Sequence, residues 1–145
     1  MKHQHFDVET AGFYGAYWAC AGGSDCAVIA MIGDDPEDWL ARSAVKWLCG
    51  RGVNVLTMSP AKKDYGHHNY PLERVETAIS WLKANGNHKI GIAGASTTGT
   101  LALTAAAMFP DVTLTIAMTP SDFVWQGFMQ GKRDGCKEWP VEGES

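Results

Sequence analysis

The chain has 145 residues and a formal net charge of −4, and 46% of its residues are hydrophobic while 19% are charged. This composition predicts one globular domain with a substantial core, and it excludes a disordered or fibrous protein. The charge, and the lack of a run of Lys or Arg, argue against nucleic acid or a membrane as partner. The sequence contains neither a visible signal peptide nor the roughly 18 consecutive apolar residues of a membrane span.

The cysteine and histidine spacings predict no metal site, no cofactor and no disulfide scaffold. The four cysteines are Cys20, Cys26, Cys49 and Cys136. They are too sparse for a disulfide framework, so we expect reduced thiols and a cytoplasmic location. His67 and His68 lie close to Asp64 and Tyr65, but adjacent loop histidines rarely point the same way and no third ligand has a suitable spacing.

The first third of the chain predicts two strands and a helix. Residues 13–18 are rich in aromatic side chains, and residues 26–32 are almost entirely apolar. The glycines between these two segments predict an antiparallel hairpin. Asp35 is the predicted N-cap of the following helix, with Pro36 as its first residue. The apolar residues at helical spacing in this helix are Leu40, Ala44, Trp47 and Leu48.

From residue 53 onwards, strand and helix patterns alternate. We predict strands over residues 53–58, 88–95 and 112–118, and helices over residues 71–84 and 97–109. Because parallel strands need crossover helices, this order predicts an α/β fold with a mostly parallel sheet and helices on both faces. We assign residues 1–125 to a partial domain of this kind and residues 126–145 to a loop-rich tail that leads to a missing C-terminal part.

Ser96 is the candidate nucleophile. It follows a predicted buried strand and precedes a predicted helix, where a nucleophile elbow lifts a serine hydroxyl off the sheet. Gly94 is the small residue that this motif requires two positions before the serine. The motif's second glycine is replaced by Thr98, and Gly99 follows one position later.

Two other interpretations of Ser96 remain open from the residues alone. A serine at this point is also a preferred helix N-cap. A nucleotide-binding turn is the other alternative, although the segment matches neither of the glycine-rich phosphate-binding patterns.

Backbone amides near Ser96 are candidates for an oxyanion hole. The helix that begins at Thr97 directs N–H groups and a positive dipole end towards an oxyanion. In this type of fold the second donor comes from the loop after an earlier strand, which here offers Gly33 or Asp34. We assign the acidic side chains of this loop to helix capping, because free carboxylates would disfavour a developing negative charge.

The order of elements over residues 6–125 resembles the N-terminal two thirds of an α/β-hydrolase. Residues 94–99 and 119–128 are similar to the catalytic domain of acyl-CoA thioester hydrolases and bile-acid-CoA:amino-acid N-acyltransferases. The resemblance implies a Ser or Cys nucleophile at the position of Ser96, with the acid and the histidine on later strands and loops. Those later strands are absent from this sequence.

The partners of a catalytic serine are therefore incomplete. All five histidines precede Ser96, whereas the chain order of this fold is serine, acid, histidine. Asp122 is a weak candidate for the acid and is otherwise a loop cap, and Trp125 is a candidate for the substrate pocket or for the core.

Two functions follow as expectations from the sequence. The first is a serine-dependent acyl hydrolase or acyltransferase that acts on a small-molecule ester or thioester, with acyl-CoA as one option. It would need residues outside this chain, and its own C-terminal fragment is one candidate source of them. The alternative is a non-catalytic α/β domain that binds a ligand or a partner.

Overall fold

The computed structural model describes residues 2–59 and 70–118. Its elements, in chain order, are β1 Gln4–Phe6, α1 Val8–Ala11, β2 Gly15–Trp18, β3 Cys26–Met31, α2 Trp39–Cys49, β4 Asn54–Met58, α3 Glu73–Ala84, β5 Lys89–Ala95, α4 Thr97–Met108 and β6 Val112–Met118. Over these two ranges, none of the helices has the length and apolar character needed to cross a bilayer.

The described strands form a single mixed sheet in the order β1-β2-β4-β3-β5-β6. The pairs β3–β4, β3–β5 and β5–β6 are parallel, whereas β1–β2 and β2–β4 are antiparallel. The predicted α/β fold with a mostly parallel sheet is confirmed. The predicted hairpin is wrong, because β2 pairs with β1 and β4 and never with β3. Residues 27–31 of β3 are all buried, and a strand apolar on both faces belongs in the parallel centre of a sheet.

Helices cover both faces of the sheet, and the side chains of β3 alternate between them. Ile29 and Met31 pack into a cluster that includes residues of α3 and α4. Val28 and Ala30 pack on the other face with Val45 of α2. This alternation follows from the two-residue period of a strand. Because β4, β3, β5 and β6 run parallel, their carboxyl ends lie at one common end of the sheet.

Helix α2 begins three residues later than the sequence predicts, because its N-cap is Asp38 and not Asp35. The Asp38 carboxylate accepts a hydrogen bond from the Ala41 N–H at 2.8 Å. It also accepts the N–H groups of Asp34 at 2.8 Å and Asp35 at 3.2 Å. Gly33 makes this turn with a φ of 96°, and any side chain there would collide with the Asp38 carboxylate.

A buried polar network joins four chain segments, including Tyr17 of β2, at the end of the sheet where the parallel strands begin. The Asn54 side chain accepts the Cys20 N–H at 2.9 Å and donates to the Ser24 carbonyl at 3.0 Å. It also donates to the Asn87 side-chain oxygen at 2.9 Å, and Asn87 donates to the Tyr17 hydroxyl at 3.2 Å. These bonds link β2, the loop before β3, the start of β4 and the loop before β5.

The three cysteines in the described segments, Cys20, Cys26 and Cys49, are free thiols. Burial, and to a lesser degree the neighbouring Cys20, raise the pKa of Cys49, which lowers the thiolate fraction available for oxidation. Cys136 lies outside the described residues, and the cytoplasmic location stays a prediction.

Candidate functional site

The loop after β3 and the turn after β5 lie next to each other at the carboxyl ends of these two strands. Strand β3 lies between β4 and β5, so the chain leaves β3 on one side and later returns on the other. The crevice at such a switch point is where open α/β sheets bind ligands. Met31 of β3 pairs with Gly94 of β5. Gly33 comes two residues after Met31, and Ser96 comes two residues after Gly94, so the two residues follow neighbouring strands at the same level.

Ser96 has the backbone of a strained strand-to-helix turn. Its φ of 58° and ψ of −119° make it the single non-glycine residue of the described chain with a positive φ. Its side chain forms no helix-capping hydrogen bond, whereas an N-cap residue usually has extended backbone and a capping side chain. The residue is exposed. This geometry fits the predicted elbow better than the alternative of a simple cap.

Glycine is required at Gly94, and Gly99 makes a close approach on the other side of this turn. A side chain at Gly94 would collide with the backbone carbonyl of Thr98 in the first turn of α4. At Gly99 an added Cβ would come within 3.0 Å of the Met118 carbonyl, where the Ser96 N–H also donates a hydrogen bond of 2.8 Å. The start of α4 therefore packs directly on the ends of β5 and β6.

Thr98 links the elbow to the neighbouring strand through its hydroxyl group. The hydroxyl oxygen accepts the Ala95 N–H at 2.9 Å. Its single proton has two carbonyl acceptors within reach, Met31 at 2.7 Å and Ala95 at 2.8 Å. Thr98 is only 4% exposed, so water does not compete for these bonds. In the sequence, Thr98 is a departure from the glycine of the motif, and the spacing of the residues does not predict its bond to Met31.

Replacing Thr98 by valine should destabilise the elbow. The change removes the hydroxyl at nearly constant shape and leaves the partly buried Ala95 N–H without this partner, which costs about 1–3 kcal/mol. We expect the free energy of unfolding in urea to fall by that amount in Thr98→Val. Thr98→Ser keeps the hydroxyl and should retain most of the stability. Equal stability of the valine variant and the original chain would contradict this assignment.

The loop after β3 offers one backbone donor more readily than the other. The Asp34 N–H already donates to Asp38, which leaves the Gly33 N–H as the better candidate of the two. The Ser59 hydroxyl donates to the Gly33 carbonyl at 3.3 Å and so helps to fix the next peptide, between Gly33 and Asp34. Asp35 accepts the Tyr14 hydroxyl at 3.4 Å. Burial, followed by the Asp35 charge, raises the pKa of Tyr14.

No histidine of the described segments lies within reach of Ser96. His3 and His5 both contact the Glu37 carboxylate, at 2.9 and 3.3 Å. His5 belongs to β1, four strand positions from β5, which corresponds to about 19 Å at the usual strand spacing. His88 directly precedes β5, whereas Ser96 follows it, so the two residues lie at opposite ends of this strand.

The remaining predicted site residues lie outside the described residues. They are Asp122 and Trp125. Their assigned roles therefore stay predictions. His67 and His68, for which the sequence predicts no metal site, also lie outside the described residues.

The same fold occurs in two esterases of known structure. Esterase PF2001 of Pyrococcus furiosus is 21% identical, with a TM-score of 0.62 over 82% of this chain and 49% of the esterase. Est1E of Butyrivibrio proteoclasticus is 19% identical, with a TM-score of 0.62 over 83% of this chain and 51% of the esterase. The chain thus spans about half the length of these two proteins, and at this identity the likeness shows the fold alone. Neither a protein-family model nor a curated protein gives a match.

Proposed function

We propose that Ser96 is the nucleophile of a serine-dependent acyl hydrolase or acyltransferase. The observation that carries the proposal is the backbone of Ser96, with its φ of 58° at the junction of β5 and α4. A serine in this conformation has no stabilising capping bond to account for it, and strained backbone of this kind concentrates at functional sites. Its place at the switch point of an esterase-like fold supports the same conclusion.

In the proposed reaction, the Ser96 oxygen attacks the carbonyl carbon of an ester or thioester while a base takes the hydroxyl proton. The carbonyl oxygen becomes an oxyanion that accepts hydrogen bonds from the N–H groups of Thr97 and Gly33. The tetrahedral intermediate then expels the alcohol or thiol, which takes up the proton, and the acyl group stays on Ser96. Water completes a hydrolysis, and another nucleophile completes an acyl transfer.

The base must come from outside the described residues. A serine hydroxyl is a weak nucleophile unless a base within hydrogen-bond reach accepts its proton, and the described histidines are all held elsewhere. A later segment of a longer chain, or a second polypeptide with the rest of the fold, would supply the histidine. Asp122 is the proposed acid and Trp125 the proposed pocket residue.

The proposed substrate is a small-molecule ester or thioester. The names of the two structural neighbours support an ester. The thioester, and acyl-CoA in particular, rest on the resemblance of residues 94–99 and 119–128 to the acyl-CoA hydrolase and acyltransferase family.

Covalent labelling with a fluorophosphonate probe tests the proposal. The probe is incubated with the chain at increasing imidazole concentration, since free imidazole replaces the absent base. We expect labelling at Ser96, located by intact mass and peptide mapping, and a rate that rises with imidazole. Ser96→Ala should lower the labelling rate by about 10³-fold or more.

Ser80→Ala is the matched control, because Ser80 is another exposed serine, on the outer side of α3. It should label like the original chain. A folded protein that shows no label at Ser96 at any imidazole concentration would overturn the assignment and favour the alternative, a domain that binds ligands without turnover.

A further inference from the structure

The two carboxylate oxygens of Asp38 bind different backbone groups of the loop after β3. Oδ1 accepts the Ala41 N–H at 2.8 Å and so caps helix α2. Oδ2 accepts the N–H groups of Asp34 at 2.8 Å and Asp35 at 3.2 Å. A helix N-cap needs the first of these contacts alone. The contacts of Oδ2 therefore order the loop and not the helix.

The peptide between Gly33 and Asp34 is held at both ends. Its N–H donates to Asp38, and its carbonyl oxygen accepts the Ser59 hydroxyl at 3.3 Å. Because the N–H and the C=O of a trans peptide point in opposite directions, these two bonds together fix the plane of the peptide. The direction of the preceding N–H group, that of Gly33, then depends on the backbone angles of Gly33.

Asp38 also packs directly against Gly33. The φ of Gly33 is 96°, and a Cβ built on this residue would collide with the Asp38 carboxylate. Gly33 comes two residues after Met31, the last residue of β3, at the same level as Ser96 after the neighbouring strand β5. The carboxylate thus fills one side of the residue whose N–H is the candidate oxyanion donor.

Contacts from β4 and α2 hold the other half of this loop. The hydroxyl of the buried Thr57 lies 2.7 Å from the Pro36 carbonyl oxygen. The Arg42 Nε donates to the Glu37 carbonyl at 2.8 Å. Both contacts lie in the second half of the loop, so they do not replace Asp38 in its first half.

The negative charge of Asp38 is compatible with a place beside an oxyanion hole. Three backbone N–H groups donate to the carboxylate. It also lies at the N-terminal end of α2, where the helix dipole favours an anion. These contacts compensate the charge, so it opposes a nearby oxyanion less than a free carboxylate would.

We propose that Asp38 is a positioning residue of the oxyanion hole, which holds the Gly33 N–H beside Ser96 while it caps α2. This inference rests on the proposed function, because it requires an oxyanion to form when Ser96 attacks a carbonyl. Asp38 acts through the loop backbone and does not touch the substrate. A donor that is already oriented needs no reorganisation during the reaction, and loss of one such donor lowers the rate by about 10²–10³-fold.

Asp38→Ser separates the two roles of this side chain. Serine is a preferred N-cap, but its single oxygen, close to the backbone, cannot also accept the N–H groups of Asp34 and Asp35. We expect the limiting rate of fluorophosphonate labelling per folded molecule, at saturating probe and fixed imidazole, to fall by about 10²-fold. The probe concentration that gives half of this rate should not change. Asp38→Ala should lose the same labelling and, because it also loses the cap, should unfold at a lower urea concentration than Asp38→Ser.

Amide hydrogen exchange gives a second measurement that does not depend on labelling. Exchange at the Asp34 and Asp35 amides should be faster in Asp38→Ser than in the original chain, because both amides lose their acceptor. Unchanged exchange at these two positions would contradict the role of Asp38 in the loop.

Asp111→Ser is the matched control, because Asp111 is an exposed acid that precedes β6 and contacts Lys83. It should label like the original chain. A folded Asp38→Ser protein that labels at the original rate would overturn the inference and leave Asp38 as a helix cap, with the proposed function intact. An original chain without any label at Ser96 would overturn the proposed function and this inference together.

Discussion

Replacing Gly94 by alanine should destabilise the protein by about 3 kcal/mol or more and remove the proposed reactivity of Ser96. The new methyl group would collide with the Thr98 carbonyl and approach the Gly99 nitrogen to 2.9 Å. Both are backbone atoms of α4, so a change of side-chain rotamer cannot relieve the collision and the helix must move relative to β5. Urea unfolding measures the stability, and the rate of fluorophosphonate labelling measures the reactivity of Ser96.

Gly50→Ala is the matched control for Gly94→Ala. Gly50 has right-handed helical backbone, with a φ of −63°, and an added Cβ would meet the Lys46 carbonyl at 3.1 Å and the Trp47 carbonyl at 3.6 Å. Alanine is favoured over glycine in such backbone, so the change in stability should stay within about 1 kcal/mol. Similar losses in both variants would show that the elbow has no special need for glycine.

The second large effect should come from Asn54→Leu, which we expect to lower the free energy of unfolding by about 3 kcal/mol. The leucine would leave the Cys20 N–H and the side-chain oxygen of Asn87 without the partner that Asn54 provides. Both asparagines are almost fully buried, at 4% and 0% exposure, so water cannot replace the lost bonds. Ser96 lies at the opposite end of the sheet, and its labelling per folded molecule should not change.

A double-mutant cycle measures the interaction energy between Asn54 and Asn87. If Asn54 and Asn87 act together, the double variant Asn54→Leu/Asn87→Leu should lose less stability than the sum of the two single changes. Asn85→Leu serves as the control, because the Asn85 side chain is exposed and bonds only locally to Trp81. Strict additivity of the two buried changes would contradict a shared network.

The sequence predicted best those elements whose signal is local. Strand β6 has the predicted bounds of residues 112–118, and α4 ends one residue before the predicted end at Phe109. The apolar run of β6 and the proline after Phe109 mark these limits directly. Ser96 was likewise assigned to the junction of a strand and a helix because Gly94 and the change of period lie next to it.

The errors arise where distant residues decide the structure. The partner of β2 is β4, whose Met58 pairs with Gly15, and no local pattern encodes a pairing across more than 40 residues. The cap of α2 is Asp38 because Gly33 turns the loop towards it, although Asp35 has the same chemistry. The bond from Thr98 to Met31 also joins residues far apart in the chain.

Position 96 places stability and reactivity in opposition. Glycine adopts a positive φ without steric cost, whereas serine held there costs of order 1–3 kcal/mol. Selection for thermal stability alone would therefore favour glycine over serine at position 96. Selection for the proposed acyl chemistry has reason to keep the serine and to accept a less stable fold. The backbone strain at Ser96 is thus the stability that the protein loses by having a hydroxyl group at the switch point.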